Sequence, residues 1–138
     1  MIADKIALEI ATPERLVLAE TVDSVILPGS EGYLGVLPMH APLLTSLGIG
    51  RLEYRVGARN HVLALSGGFA EVLRDRVRVL ADTCERPEEI DLERALAKKR
   101  EAEAVLASSN GSEEAFRLAE GRLRKALVRI EVHGLGNA

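Results

Sequence analysis

Val77-Arg78-Val79-Leu80-Ala81-Asp82-Thr83-Cys84-Glu85-Arg86-Pro87-Glu88-Glu89-Ile90-Asp91-Leu92-Glu93-Arg94-Ala95-Leu96 spans the point where the chain changes its period. Val77, Arg78 and Val79 alternate apolar and charged, as a half-buried strand does. From Glu88 onward that alternation stops, no proline occurs, and Ala, Glu, Lys, Arg and Leu dominate. These are strong helix formers. The junction divides the 138 residues into a β-rich part, 1–86, and a helical part, 87–138.

Working back from the junction, short apolar-rich runs recur at 5–10, 15–20, 22–27, 43–47, 51–56, 60–65, 69–73 and 77–80. Thr12-Pro13-Glu14, Pro28-Gly29, Gly67-Gly68 and Arg74-Asp75-Arg76 punctuate them. Many short strands between such turns predict an all-β sandwich or barrel. Aromatic residues are limited to Tyr33, Tyr54, Phe69 and Phe116, so the core must be built from Leu, Val, Ile and Ala.

Working forward, Ser108-Ser109-Asn110-Gly111-Ser112 interrupts the helical composition. Asn110-Gly111 can supply the positive φ of a helix stop. Ser112 can cap the next helix, with Glu113 and Glu114 favourably placed in its first turn. Two helices are predicted, over 91–107 and 113–132, and the short loop makes them antiparallel neighbours. The whole chain is thus α+β: an N-terminal all-β sandwich followed by an antiparallel two-helix hairpin.

Phe116, Ala119, Leu123, Ala126, Leu127 and Ile130 form one stripe on the second helix. On the first, Lys99 and Glu103 interrupt the line of Leu92, Ala95, Leu96, Ala102 and Leu106. Much of what remains is alanine, which buries little area. The hairpin is therefore expected to be held weakly and to detach. Between Arg117 and Ile130 stand five basic residues and one acid, Glu120. Arg122, Lys125 and Arg129 share a helix face. That face reads either as solvated or as a docking surface for an acidic protein segment.

Composition excludes several classes of function. A net charge of −3 argues against nucleic acid as a partner of the whole chain. The lone Cys84 gives no disulfide framework. No apolar run approaches the ~18 residues of a membrane span, so the chain is expected to be soluble and to meet a membrane only through another protein. His40, His61 and His133 lack metal-ligand spacing. Ser66-Gly67-Gly68 lacks the Lys and Ser/Thr of a phosphate loop and reads as a strand bulge or turn. No paired carboxylates or nucleophile–base set points to an enzyme.

Gly29-Ser30-Glu31-Gly32-Tyr33-Leu34-Gly35-Val36-Leu37-Pro38-Met39-His40-Ala41-Pro42-Leu43-Leu44 reads from its residues alone as a shaped surface loop. Taken with Leu65-Ser66-Gly67-Gly68-Phe69-Ala70-Glu71-Val72 and residues 77–83, in that order and ahead of a helical hairpin, it resembles the epsilon subunit family of F-type ATP synthases. That family includes chloroplast epsilon and mitochondrial delta chains. The resemblance covers nearly the whole chain.

It implies a non-catalytic seat in the central stalk, against the gamma subunit and the membrane c-ring. The chain would lie on the cytoplasmic face of the bacterial inner membrane as a peripheral protein. Gly29, Ser30, Glu31, Gly32, Tyr33, Leu34 and Gly35 correspond to a loop facing the c-ring. Glu31 matches an acidic position there, and Tyr33 falls where relatives can carry another acid. The resemblance further implies a tail that inhibits ATP hydrolysis when extended, with Arg122, Lys125 and Arg129 meeting an acidic segment of the catalytic beta subunit. No cofactor is required. Some members bind regulatory ATP through Ile/Leu-Asp-x-x-Arg-Ala, present here as Ile90-Asp91-Leu92-Glu93-Arg94-Ala95. Asp91, Arg94 and Ala95 are then candidate contacts, with Lys125 and Arg129 as second-helix cations. Helix capping by Asp91 and a surface Arg94 account for the same residues. The rival reading is a free-standing β-sandwich adaptor whose hairpin binds another partner.

Overall fold

The computed structural model describes residues 4–108 and 110–136. Seven strands precede two helices: β1 Ile6–Ala11, β2 Leu16–Val22, β3 Ser24–Gly29, β4 Gly32–Val36, β5 Leu43–Val56, β6 Arg59–Val72, β7 Arg76–Glu85, α1 Leu92–Ala107 and α2 Glu113–Gly136. A short 3-10 turn, Pro87–Glu89, joins the two parts. The strands form one hydrogen-bonded sequence, β2-β1-β7-β6-β5-β3-β4. All pairings are antiparallel except β1 with β7.

This continuous sheet folds over into two layers, and the strands reveal where. On β7, Val77, Val79 and Ala81 face the core, then Asp82 and Thr83 are both exposed and Cys84 faces inward. On β6, Leu63 and Leu65 point inward before the glycine pair, whereas Ala70 and Val72 do so after it. The inward side changes parity along both neighbours at the same level. Gly67 (φ +69°) and Gly68 (φ +113°) make the change possible. A Cβ on Gly68 would fall 2.0 Å from the Leu80 carbonyl oxygen. A side chain there is excluded by both space and backbone conformation.

The sandwich interior is aliphatic, led by Ile6, Leu8, Ile10, Leu27, Leu52 and Leu65. It forms one cluster with strand residues from all seven strands. The expected sandwich and helical hairpin are both present. Several local expectations are corrected. Runs 43–47 and 51–56 are one strand, β5, and runs 60–65 and 69–73 belong to one strand, β6, because the intervening glycines bend the strands without ending them. The stretch read as a loop at 29–35 is mostly the β3–β4 hairpin, with a two-residue turn at Ser30-Glu31.

Both helix starts follow the caps read from sequence. The Asp91 carboxylate accepts from the Arg94 amide at 3.1 Å, and the Ser112 hydroxyl accepts from Ala115 at 3.1 Å. The second helix runs on to Gly136, beyond the expected 132. α1 packs principally on α2, and α2 lies over β5, β6 and the 3-10 turn. The buried side chains between these elements are small: Ala95 and Ala102 on α1, and Ala119, Ala126 and Val132 on α2. Leu127, expected in the apolar stripe, is 43% exposed, because the line that seats α2 passes through Ala126, Val128 and Val132 instead. Ser109 lies outside the described residues.

Candidate functional site

Where α1 and α2 lie over the sandwich they leave a cavity of about 610 Å³. Its helical wall presents Arg94 and Lys98 from α1 and Arg122, Lys125 and Arg129 from α2. Helical spacing explains the set. Residues four apart on α1 share a face, as do residues three and four apart on α2. Antiparallel packing through the buried alanines turns both faces toward the same space. The sandwich wall supplies Ile49, Ser66, Thr83 and Cys84, with the acids Asp82 and Glu85 beside them.

Five cations converge here from two helices, and their charge is only partly answered. Arg129 donates through Nε to Glu85 Oε1 at 2.8 Å and through Nη2 to Glu85 Oε2 at 3.2 Å. This is a two-pronged guanidinium–carboxylate pair. Lys98 also lies 3.6 Å from Glu101. Burial pushes the Cys84 thiol up to about 12, so at neutral pH it is an inert, protonated wall residue.

The structure thus brings Arg94, Arg122, Lys125 and Arg129 to one site. Asp91 and Ala95 are not part of its lining. The Asp91 side chain is occupied in capping α1, and Ala95, fully buried, is part of the apolar packing. Lys98 was not singled out in the sequence. Its position one turn beyond Arg94 was the available signal. Among the described residues there is no cluster of His, Cys, Asp and Glu able to hold a metal ion.

A second surface lies at the β3–β4 hairpin. Glu31 stands exposed at its turn, and the Ser30 hydroxyl meets that of Ser46 at 2.6 Å. Gly29 must remain bare, since a Cβ there would meet the Gly32 carbonyl oxygen at 2.6 Å. Tyr33 leaves most of its ring in solvent but lays its hydroxyl over β5, accepting from the Arg51 amide at 3.3 Å. Gly50 makes that approach possible: a Cβ there would come within 2.8 Å of the Tyr33 hydroxyl. Beyond β4, Leu37, Met39 and Leu44 are exposed.

A third surface is the outer face of β6, β7 and β2, where Phe69 (59% exposed), Leu80 (64%) and Leu16 (59%) stand in solvent. Phe69 pairs directly with Leu80 across the strands. No helix of the described residues is long and apolar enough to cross a membrane.

Residues 5–87 match the family model for the β-sandwich domain of the ATP synthase delta/epsilon chain, and residues 88–134 match that for its long α-helix domain. An ATP synthase epsilon chain of Desulforamulus reducens is 49% identical over 124 residues, 90% of this chain and 93% of that one. One from Dehalococcoides mccartyi is 47% identical over 128 residues, covering 93% and 91% respectively. Among solved structures, a chain in the OSCP/F1/c-ring structure of the Euglena gracilis mitochondrial ATP synthase superposes with a TM-score of 0.80 at 26% identity, covering 100% of this chain and 84% of that chain. A chain of the Tetrahymena thermophila mitochondrial ATP synthase central stalk and c-ring shares the fold, with a TM-score of 0.60 at 12% identity, over 96% of this chain and 99% of the other. Two adjoining family models span the sandwich and the hairpin, and the relatives match over nine-tenths of the chain: the chain belongs to the ATP synthase delta/epsilon family.

Proposed function

We propose that the chain is a non-catalytic stalk subunit of an F-type ATP synthase, coupling c-ring rotation to ATP synthesis and restraining ATP hydrolysis through its C-terminal helices. The family and the named relatives support the stalk role. The sandwich is the seat, against the gamma subunit and the c-ring. The β3–β4 hairpin, with Glu31 at its tip, is the element offered to the polar face of the c-ring. The exposed apolar residues Leu37, Met39, Leu44, Phe69 and Leu80 suit a protein partner. The chain is peripheral to the membrane complex, and its bacterial relatives support a place on the cytoplasmic face of the inner membrane.

The observation that carries the inhibitory role is the way the hairpin is seated. Its helices bury chiefly alanines against each other, α2 meets the sandwich through a small cluster around Val132, and Arg122, Lys125 and Arg129 line the cavity beneath, with Arg129 held by Glu85. Release frees Arg129 from Glu85 and carries all three away from the sandwich on one face. They can then meet an acidic segment of the catalytic beta subunit, and the extended helix obstructs rotation in the hydrolysis direction. Removing residues 88–138 should raise ATP hydrolysis by the assembled complex. Unchanged hydrolysis would refute the inhibitory role.

The cavity favours a second role for the docked state, binding of ATP as a regulatory ligand. Its volume is that of a small-molecule site. Arg94, Lys98, Arg122 and Lys125 supply cations suited to phosphate oxygens. The protein's part would be to clamp the two helices together through a shared anion. Calorimetric titration at millimolar ATP should give saturable heat that Arg94→Ala and Arg122→Ala diminish; a flat titration would remove this role.

A further inference from the structure

Arg51 on β5 pairs with Ala64 on β6, and Ala64 pairs with Glu85 on β7. The three residues form one straight row across the sheet, on the face turned toward α2. Read along the row, the sheet presents a cation, a small apolar residue and an anion. α2 presents the opposite order. Glu131 pairs with Arg51, Val132 packs with Ala64 in a cluster that Val128 flanks, and Arg129 grips Glu85. Residues 129 and 131 lie about 200° apart around a helix. They therefore flank the apolar ridge of Val128 and Val132 on opposite sides.

We infer that the row Arg51–Ala64–Glu85 is a charge-keyed seat that fixes both the direction and the register of the docked hairpin. Reversing α2 would set Glu131 against Glu85 and Arg129 against Arg51, two like-charge contacts. Sliding α2 by one turn brings Leu127 or Leu135 to Arg51 in place of Glu131 and leaves that cation only its strand neighbour Glu53. Only the observed placement satisfies both ends of the row while Val132 covers Ala64. The apolar contact, Val132 and Val128 with Ala64, Val62 and Ile90, carries no charge order of its own. Glu53, 3.0 Å from Arg51, holds that guanidinium at the seat when the hairpin is away. The Glu85 pair is the more sheltered of the two and is two-pronged, so it is the stronger key.

The seat concerns docking and not inhibition: truncation could leave hydrolysis unchanged while the seat still governs docking. The test uses the full chain without nucleotide and follows amide hydrogen exchange segment by segment. Glu85→Arg and Arg129→Glu should each speed exchange across α2 by about tenfold or more, with the sandwich strands unaffected. The double variant E85R/R129E restores the opposite charges and should return α2 exchange to within about threefold of the parent. Glu131→Gln removes one exposed charge with little risk to folding and should speed α2 exchange by about two- to threefold. Unchanged α2 exchange in the single variants, or a double variant that exchanges as fast as the singles, would overturn the proposal.

Discussion

The sandwich and the hairpin are built from the same chain on opposite principles. The sandwich buries Leu, Ile and Val from every strand in one cluster. Each fully buried side chain of that kind contributes about 1.5–3 kcal/mol. The hairpin buries chiefly alanines, and its attachment to the sandwich rests on Ala64, Ile90 and Val132, flanked by Val62 and Val128. Polar contacts supply much of the remainder: Arg51 with Glu131, Arg129 with Glu85, and Arg15 with Glu89 at the connecting turn. One part is held by area, which tolerates little change. The other is held by charge order, which can be broken and remade. The proposed function calls for both, a body that keeps its shape and an arm that leaves it.

Truncating Leu52 or Ile10 to alanine should break the comparison most severely. Both are fully buried, so each substitution should destabilise the sandwich by about 2–5 kcal/mol, measured by urea unfolding. Gly68→Ala should come next. Its positive φ alone costs about 1–3 kcal/mol, and the new methyl clashes with β7, so β6–β7 pairing should loosen before the helices do. Overpacking the helical interface with Ala102→Leu or Ala119→Leu should lower hairpin stability by about 1–3 kcal/mol, seen as faster exchange over α1 and α2 with unchanged strands.

The smallest effect concerns the connecting turn. Arg15 donates to Glu89 at 2.6 Å and holds that carboxyl below its ordinary 4.5, with the Arg86 amide assisting. A depressed carboxylate stabilises the folded form above its ordinary value, and this is lost as pH falls through the lowered one. Proteolysis at residues 86–91 should accelerate below about pH 4 in the parent chain, and Arg15→Gln should flatten that dependence. Identical acid profiles would show that the ion pair does not pin the turn.

How much of this was legible in the sequence follows the distance between partners. The caps at Asp91 and Ser112 act three residues ahead and were readable. The aliphatic core was readable because strand and turn residues alternate locally. Long strands were harder. Gly67 and Gly68 look like a stop, and they are instead the place where β6 passes from one layer to the other, its pairing skipping Gly67 and resuming on either side. Gly32 to Val36 looked like a loop because Gly32 and Gly35 weaken the signal of a strand whose register depends on β3. The seat for α2 was invisible, since Arg51 and Glu131 are 80 positions apart and Arg129 and Glu85 are 44 apart. The cationic face was legible on α2, and its link to Arg94 only through the family resemblance; the part of Lys98 needed the hairpin to close.

The contrast between a firm body and a releasable arm is tested most directly by native-state hydrogen exchange of the intact chain under increasing denaturant. Amides of β1, β6 and β7 should exchange only through global unfolding, while α1 and α2 open several kcal/mol earlier, in a step that exposes little surface. If the helices and the strands open together, with the same free energy and the same denaturant dependence, the hairpin is part of the body and the account of a detachable arm is wrong.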